Sequence, residues 1–337
     1  MNRKILIGII VAIIFSIIGI SLFFIIKNVE EDRKKEMQED AIAITLKDEL
    51  NTEFLSKVKV SDFILKLNGE LINDYYIETT TLGEKEVEVQ YKNYRNKVKT
   101  KSFKINIVDT KEPEIYMQNV MTVPIGYNKD ITYTVLSGDE CDSKPIRKIE
   151  GYYDFNKEGN YNLKYTVTDK SGNKAEKDFV LKVVPKDKMP KTTQREKILF
   201  SDCINKYKNE NTSLGIDVSK WQGDIDWKKV KNAGVEFAFI RLAYQDGFDG
   251  EYKKDKYFEN NIREAINAGV KVGVYFYSYA KSVEDAYAQA DWIYSQIKDY
   301  NVDLPVAFDW ESWTSFAKSE MSFYDINYVA KSFIKRI

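Results

Sequence analysis

The chain has 337 residues, enough for two or three domains of about 100–200 residues each and for a sizeable buried core. Its 51 Lys and Arg against 52 Asp and Glu leave a net charge of -1, so no global basic field points to nucleic acid as a partner. With no His and two Cys, the sequence excludes Ser-His-Asp and Cys-His catalysis and a four-thiolate zinc centre, and the chemistry must come mainly from carboxylates. Cys141 and Cys203 lie far apart in what read as separate domains, so no disulfide framework is expected.

Residues 5–26 are 22 uncharged, overwhelmingly apolar positions. As a helix they would span about 33 Å, matching a hydrocarbon core of about 30 Å. A signal peptide has an apolar run of about 7–15 residues, whereas this one is longer and leaves through Phe23, Phe24, Ile25 and Ile26 into Lys27. An uncleaved, single-pass signal anchor is expected, with residues 1–4 cytoplasmic. Arg3 and Lys4 precede the helix while Lys27, Arg33, Lys34 and Lys35 follow it, so counting positive charges does not orient it. Residues 27–40 are almost wholly polar and read as a solvated stalk.

An internal repeat follows. At a constant offset of 76, Gly83 matches Gly159, Val87 Leu163, Val89 Tyr165, Tyr91 Val167, Phe103 Phe179, Ile105 Leu181 and Ile107 Val183. Within each copy the apolar residues alternate, the period of strands with one buried face. The second copy turns through Asp169-Lys170-Ser171-Gly172-Asn173, rich in residues that accept positive φ or bond their own backbone. The copies, 41–109 and 110–186, are each of a size for a small all-β sandwich. With DTKEPEI at 109–115, EGNYNLKYTVTDKSGN at 158–173 and a closing FVLKVV, the second resembles bacterial immunoglobulin-like modules, which implies a spacer or binding arm. Asp139, Glu140 and Asp142 cluster near Cys141 but read as a solvated acidic loop, and no metal is assigned there. Residues 187–213, with Pro190 and several Lys, read as a linker.

All five Trp lie beyond residue 214, where apolar strands alternate with helix-period stretches. The strand candidates are 214–218, 236–243, 270–279 and 304–310, apolar enough to be buried on both faces as parallel strands are. Four helices are expected to follow them. The first begins at an Asp226 cap and ends by Gly234, the second ends by Gly269, and the third and fourth begin near Ser282 and Ser322. Carboxylates stand at strand ends: Asp217 on the first, and Asp309 and Glu311 on the fourth, where alternation puts the two on one face about 6.5–7 Å apart. Paired carboxylates are what glycoside hydrolysis requires, although a D-x-E pattern alone is common.

The segments GIDVSKWQGDIDW (215–227), GVEFAFIRLAY (234–244), the pattern Asp255, Phe258 and Asn261, AINAGVKVGVYFYSYA (265–280), EDAYAQADW (284–292) and LPVAFDWES (304–312) closely resemble glycoside hydrolase family 25, the lysozymes or N-acetylmuramidases. The resemblance implies an α/β, TIM-like barrel of which only about the first half is present in residues 214–337. It implies that Glu311 is the general acid, with its pKa raised, and that Asp309 stabilises the cationic centre, through the substrate's 2-acetamido group or as a direct nucleophile. It places Asp217 in the same groove and makes Tyr275, Tyr277 and Trp313 candidates for stacking on sugar rings. Lys220 sits where many members have His. A barrel of this family needs eight strands and a further late aspartate, so the chain reads as a fragment of a longer protein or as a decayed copy.

The expectation is a membrane-anchored, extracellular peptidoglycan hydrolase without metal or organic cofactor, carried on two immunoglobulin-like spacers in a Gram-positive-type envelope. Its partners would be peptidoglycan glycan strands and the cell membrane, with no nucleic acid. The alternatives are a non-catalytic wall-binding or structural protein with an inactive half barrel, and an accessory of envelope-spanning machinery that opens the wall locally.

Overall fold

The computed structural model describes residues 3–41, 43–191 and 197–337, with side chains from residue 13 onward except 39–42. Part of the N-terminal tail expected to be cytoplasmic, the side chains of the first third of the expected membrane span, and residues 192–196 of the expected linker lie outside the described residues. The chain divides into two units, one ending at Thr110 and one from Lys111 to Ile337.

In the first unit, helix α1 (Arg3–Ala41) runs for 39 residues. Within its stretch from Ile13 to Gln38 the helix is long and apolar enough to cross a membrane by length and composition, its most apolar 18 residues having a mean hydropathy of 1.9 and no burial inside the protein. The helix does not stop at Lys27. Residues 27–41 lack Gly and Pro, and Glu30 with Lys34 and Glu31 with Lys35 stand one turn apart, so the polar stretch is itself a good helix former. At its far end Glu36 accepts from Lys97 at 2.8 Å and lies 3.4 Å from Lys99.

The rest of the first unit comprises β1 (Ile44–Leu46), β2 (Asn51–Glu53), β3 (Ile64–Leu67), β4 (Gly69–Leu71), β5 (Gly83–Asn93) and β6 (Val98–Val108). They form a two-stranded sheet, β1-β3, and a four-stranded sheet in the order β2-β6-β5-β4. The second unit opens with β7 (Glu114–Tyr116), β8 (Val120–Pro124), β9 (Leu136–Gly138), β10 (Ile146–Glu150), β11 (Gly159–Thr168) and β12 (Lys174–Val184), in sheets β7-β9 and β8-β12-β11-β10. Strand for strand, the topology repeats. So does the register: Gly83 faces Ile107 and Val87 faces Phe103, as Gly159 faces Val183 and Leu163 faces Phe179. All twelve repeated apolar residues are buried. The turns differ in chemistry. Both need a left-handed residue, supplied by Asn96 (φ 59°) in the first copy and Gly172 (φ 94°) in the second, where Asp169 also accepts from the Asn173 backbone at 2.8 Å.

A short helix, α2 (Phe200–Tyr207), forms inside the stretch read as a linker, and Lys208 after it reaches Glu236 at 2.7 Å. The last segment then alternates: β13 (Gly215–Val218), α3 (Trp227–Asn232), β14 (Phe237–Gln245), β15 (Tyr252–Lys254), α4 (Phe258–Asn267), β16 (Lys271–Tyr277), α5 (Val283–Ile297), β17 (Ala307–Asp309), α6 (Phe316–Ser319) and α7 (Phe323–Arg336). The helix starts follow from side-chain caps: Asp226 accepts from the Lys229 backbone, Ser282 from Asp285 and Ser322 from Asp325. β13, β14, β16 and β17 are parallel neighbours in that order, and β15 pairs antiparallel with the end of β14. The fourth strand is shorter than its apolar run, beginning two residues after Pro305.

These strands are not buried on both faces, as their composition led us to expect. Val218, Ala238, Ile240, Leu242, Val272, Val274 and Phe276 are packed against the helices, whereas Phe237, Phe239, Tyr275 and Tyr277 on the other face are only half-buried and Asp217 is exposed. Gly215 and Gly273 make that second face possible. A Cβ at Gly215 would come within 2.4 Å of the Phe237 ring, and one at Gly273 within 2.6 Å of Phe239.

The second β copy packs against the end of this segment. Phe323 and Tyr324, at the start of α7, donate their backbone N–H to the carbonyls of Asp139 and Glu140 at 2.8 and 3.1 Å, and Lys144 pairs with Glu320 at 2.7 Å. Gly138 faces the rings of Phe316 and Phe323, where a Cβ would stand 2.9 Å from each. Replacing Gly172 by Ala is expected to lower stability by about 1 kcal/mol, because only Gly enters the left-handed region without strain, whereas Asn96→Gly should leave it unchanged or slightly raised. Thermal unfolding of the two variants checks the contrast.

Candidate active site

Parallel pairing carries the site. Asp217 stands beside Phe239, Arg241 beside Tyr275, Tyr275 beside Ala307 and Tyr277 beside Asp309, so the half-buried face gathers side chains from all four parallel strands. Together with Ser219, Trp221, Gln222, Phe308 and Glu311 they line one cleft of about 610 Å³ at the strand ends. Five residues expected from the sequence, Asp217, Tyr275, Tyr277, Asp309 and Glu311, are therefore brought together.

Trp313 stands apart. It packs on Trp310 and Phe316, with ring centres 5.0 and 6.0 Å away, and lines a different cavity of about 620 Å³ with Tyr116, Leu136 and Phe323. The chain leaves β17 so that Glu311 joins the cleft while Trp310 turns inward and donates its indole N–H to the Ala280 carbonyl at 3.2 Å.

The strand ends are held from behind. The Asp309 carbonyl accepts from the Ser278 backbone at 2.7 Å, the Ser278 hydroxyl donates to Gln289 at 2.7 Å, and Gln289 donates to Gln245 at 2.9 Å. Ser278 and Gln289 are fully buried and Gln245 nearly so, and such satisfied polar chains fix a single arrangement.

Burial pushes the Asp309 carboxyl up to about 7, reinforced by the hydrogen-bonded Glu311 carboxylate and by Asp217, against the pull of Arg241. Because the two carboxyls share a hydrogen bond, the proton belongs to the pair. Burial likewise pushes the Tyr275 phenol up to about 12, while Arg241 and a hydrogen bond with Ser219 draw it down. Tyr277 is also raised, mainly by burial, although the neighbouring Ser312 opposes the shift. Both phenols thus stay protonated and serve as donors and aromatic faces.

Arg241, Ser219 and Trp221 also belong to the cleft, although the sequence did not single them out as site residues. Arg241 carried a usable signal: a charge inside the apolar run FAFIRLAYQ, the same anomaly that marks Asp309. Trp221 is 77% exposed beside the acids, and Lys220 Nζ lies over its ring at 5.1 Å.

The acidic residues near Cys141 take part in turns, although Asp139 Oδ2 is buried without a hydrogen-bond partner among the described residues. Asp139 accepts from the backbone of Cys141 and Asp142, Asp142 accepts from Lys144 and Lys170, and Glu140 pairs with Lys111.

A family model, Glycosyl hydrolases family 25, matches residues 216–337. Over 100 residues the chain is 38% identical to Lysozyme M1 of Streptomyces globisporus, an alignment that covers 29% of this chain and 32% of that protein. It is 31% identical over 97 residues to the autolytic lysozyme of Clostridium acetobutylicum, covering 29% and 28% respectively. The chain thus spans about a third of these relatives' length. Among solved structures, a bacterial lysozyme from Streptomyces coelicolor is 28% identical with a TM-score of 0.26, covering 38% of this chain and 60% of that one. Residues 216–337 belong to glycosyl hydrolases family 25.

Proposed function

We propose that this protein is a membrane-anchored peptidoglycan hydrolase that cleaves the β-1,4 bond between N-acetylmuramic acid and N-acetylglucosamine. One observation carries the reading: within the family 25 segment, a single cleft collects Asp217, Asp309 and Glu311 at the ends of parallel strands, flanked by tyrosines. In this reading α1 spans the cell membrane as a signal anchor and the C-terminal domains are extracellular. The two repeated β units, immunoglobulin-like in kind, space the catalytic segment from the membrane, and the parallel sheet is part of a TIM-like barrel.

Asp309 and Glu311 share a hydrogen bond and the burial of Asp309 disfavours a second negative charge, so the pair holds a proton near neutrality. Glu311, the more exposed member, donates that proton to the glycosidic oxygen. Asp309, then ionised, stabilises the cationic carbon directly or through the substrate's 2-acetamido group. Tyr275, Tyr277 and Trp221 offer sugar rings aromatic faces, and Asp217 orients the sugar from the opposite strand.

Release of reducing ends from purified peptidoglycan by the full chain in detergent tests the reading. Glu311→Gln should lower the rate by about 100-fold or more, the typical contribution of a general acid. A wild-type chain that binds peptidoglycan without cutting it would replace the hydrolase by a wall-binding protein. Activity should fall as pH rises above about 7, where the pair loses its proton.

Stability should follow the same group. Asp309 binds its proton more tightly folded than unfolded, so its contribution is most favourable below the ordinary carboxylate range and is lost as pH rises through about 7. Asp309→Asn should therefore raise the thermal midpoint at pH 8 and change it little at pH 4, which calorimetry at the two pH values checks.

A further inference from the structure

Beneath the cleft lies a buried ion pair that none of the preceding roles uses. Arg241 is 8% exposed and Asp255 3%. The Arg241 Nε donates to Asp255 Oδ2 at 2.9 Å and Nη2 lies 2.7 Å from the same oxygen, although Nη2 makes no well-directed hydrogen bond among the described residues. Asp255 also accepts from the backbone of Lys220 at 2.8 Å and of Tyr257 at 3.0 Å. One carboxylate thus ties the arginine of β14 to the loop that carries Ser219 and Trp221 and to the turn that starts α4.

Burying a charged pair is costly, and an apolar pair of similar volume would serve stability as well or better. The backbone ties of Asp255 give the carboxylate a structural reason, but they leave the choice of a buried arginine as its partner unexplained. The position of Arg241 explains it. It lines the cleft, stands beside Tyr275 across the β14–β16 pairing, and contributes the positive charge among the groups that act on Asp309.

Resting on the hydrolase reading above for its catalytic meaning, we propose that Arg241 and Asp255 are a positioning pair: Arg241 is a fixed charge under the acids that favours ionised Asp309, and Asp255 sets its place and tempers its field. The groups facing Asp309 are Asp217 from β13, Arg241 from β14, Tyr275 and Tyr277 from β16, and Glu311 beyond β17. Facing Arg241 are Asp255 and the ring of Tyr244, whose centre is 5.4 Å from Cζ and over which Lys220 Nζ also sits at 4.8 Å. Neither member reacts. Arg241 adjusts how readily Asp309 becomes the anion, and Asp255 keeps Arg241 from collapsing onto the acids.

The pair makes predictions of opposite sign, readable without turnover. In the full chain in detergent, with ¹³C-labelled aspartate and Asp309→Asn to assign the signal, the Asp309 carboxyl can be titrated by NMR. Arg241→Gln should raise its midpoint by about one pH unit, the lower end of what a nearby opposite charge contributes. Asp255→Asn, which leaves Arg241 uncompensated, should lower it. Arg241→Gln with Asp255→Asn should return it close to wild type, and Arg241→Lys should restore it in part. If hydrolysis is present, the alkaline limb of the rate profile moves with the midpoint, changing kcat more than KM.

Midpoints that do not move, or that move in the same direction for both single variants, overturn the proposal. If a single variant unfolds by circular dichroism, the charge-free double variant decides: a folded double variant whose midpoint departs from wild type by about a unit or more also overturns it. The titration is independent of cleavage, so a chain that never cuts peptidoglycan sinks the hydrolase reading while leaving the electrostatic role of the pair open to this measurement.

Discussion

In the sheet formed by β13, β14, β16 and β17, one alternation divides every strand between two environments. In β13, in β16 and in β14 as far as Leu242, residues at even positions meet the helices and form the core and those at odd positions meet the cleft; past Leu242 the β14–β16 register shifts and Ala243 joins the core. Because the strands are parallel and in register, this division brings Asp217, Arg241, Tyr275 and Asp309 to neighbouring rungs although they are scattered over nearly a hundred residues. A slip of one residue in any pairing would exchange core and cleft together, so the apolar packing that stabilises the sheet also enforces the geometry of the acids. Two bare glycines, Gly215 and Gly273, let bulky Phe237 and Phe239 share the cleft face.

Electrostatics in the cleft follow from the same division. Asp309, half-buried on the last rung of β17, is held up by desolvation, while Glu311, past the strand end, is exposed. Two chemically similar acids acquire different environments from two residues of chain. The buried arginine is the counterweight on β14, two strands away, and its own partner lies outside the cleft on the turn before α4.

Much of this was legible in the sequence where short-range chemistry decides it. The paired hairpins appear as an offset of 76 because strand alternation and turn residues are local, and the helix starts at Asp226, Ser282 and Ser322 appear because capping is local. The half-buried state of the cleft face was not legible, since Phe237, Phe239 and Tyr275 look like core residues to any rule that counts apolarity. Nor was the antiparallel strand β15, which exists because the free edge of β14 beyond Ala243 accepts Tyr252–Lys254. Trp313 looked like a companion of the acids because it is close in sequence, but the turn after Glu311 carries it to another surface. Arg241 was legible by the rule applied to Asp309, that a charge in an apolar strand needs a reason, and it took the structure to show that reason.

The two β copies share topology and register, yet they are not exchangeable beads on a string. The strand β9 ends on Gly138, whose missing side chain admits the rings of Phe316 and Phe323, while its topological counterpart β3 ends on Leu67. A leucine in place of that glycine would collide with both rings and hold the carbonyls of Asp139 and Glu140 away from the first turn of α7. The order of the modules is thereby written into one atom-sized gap: of the two copies, the one adjoining the family 25 segment carries the fitting that joins it.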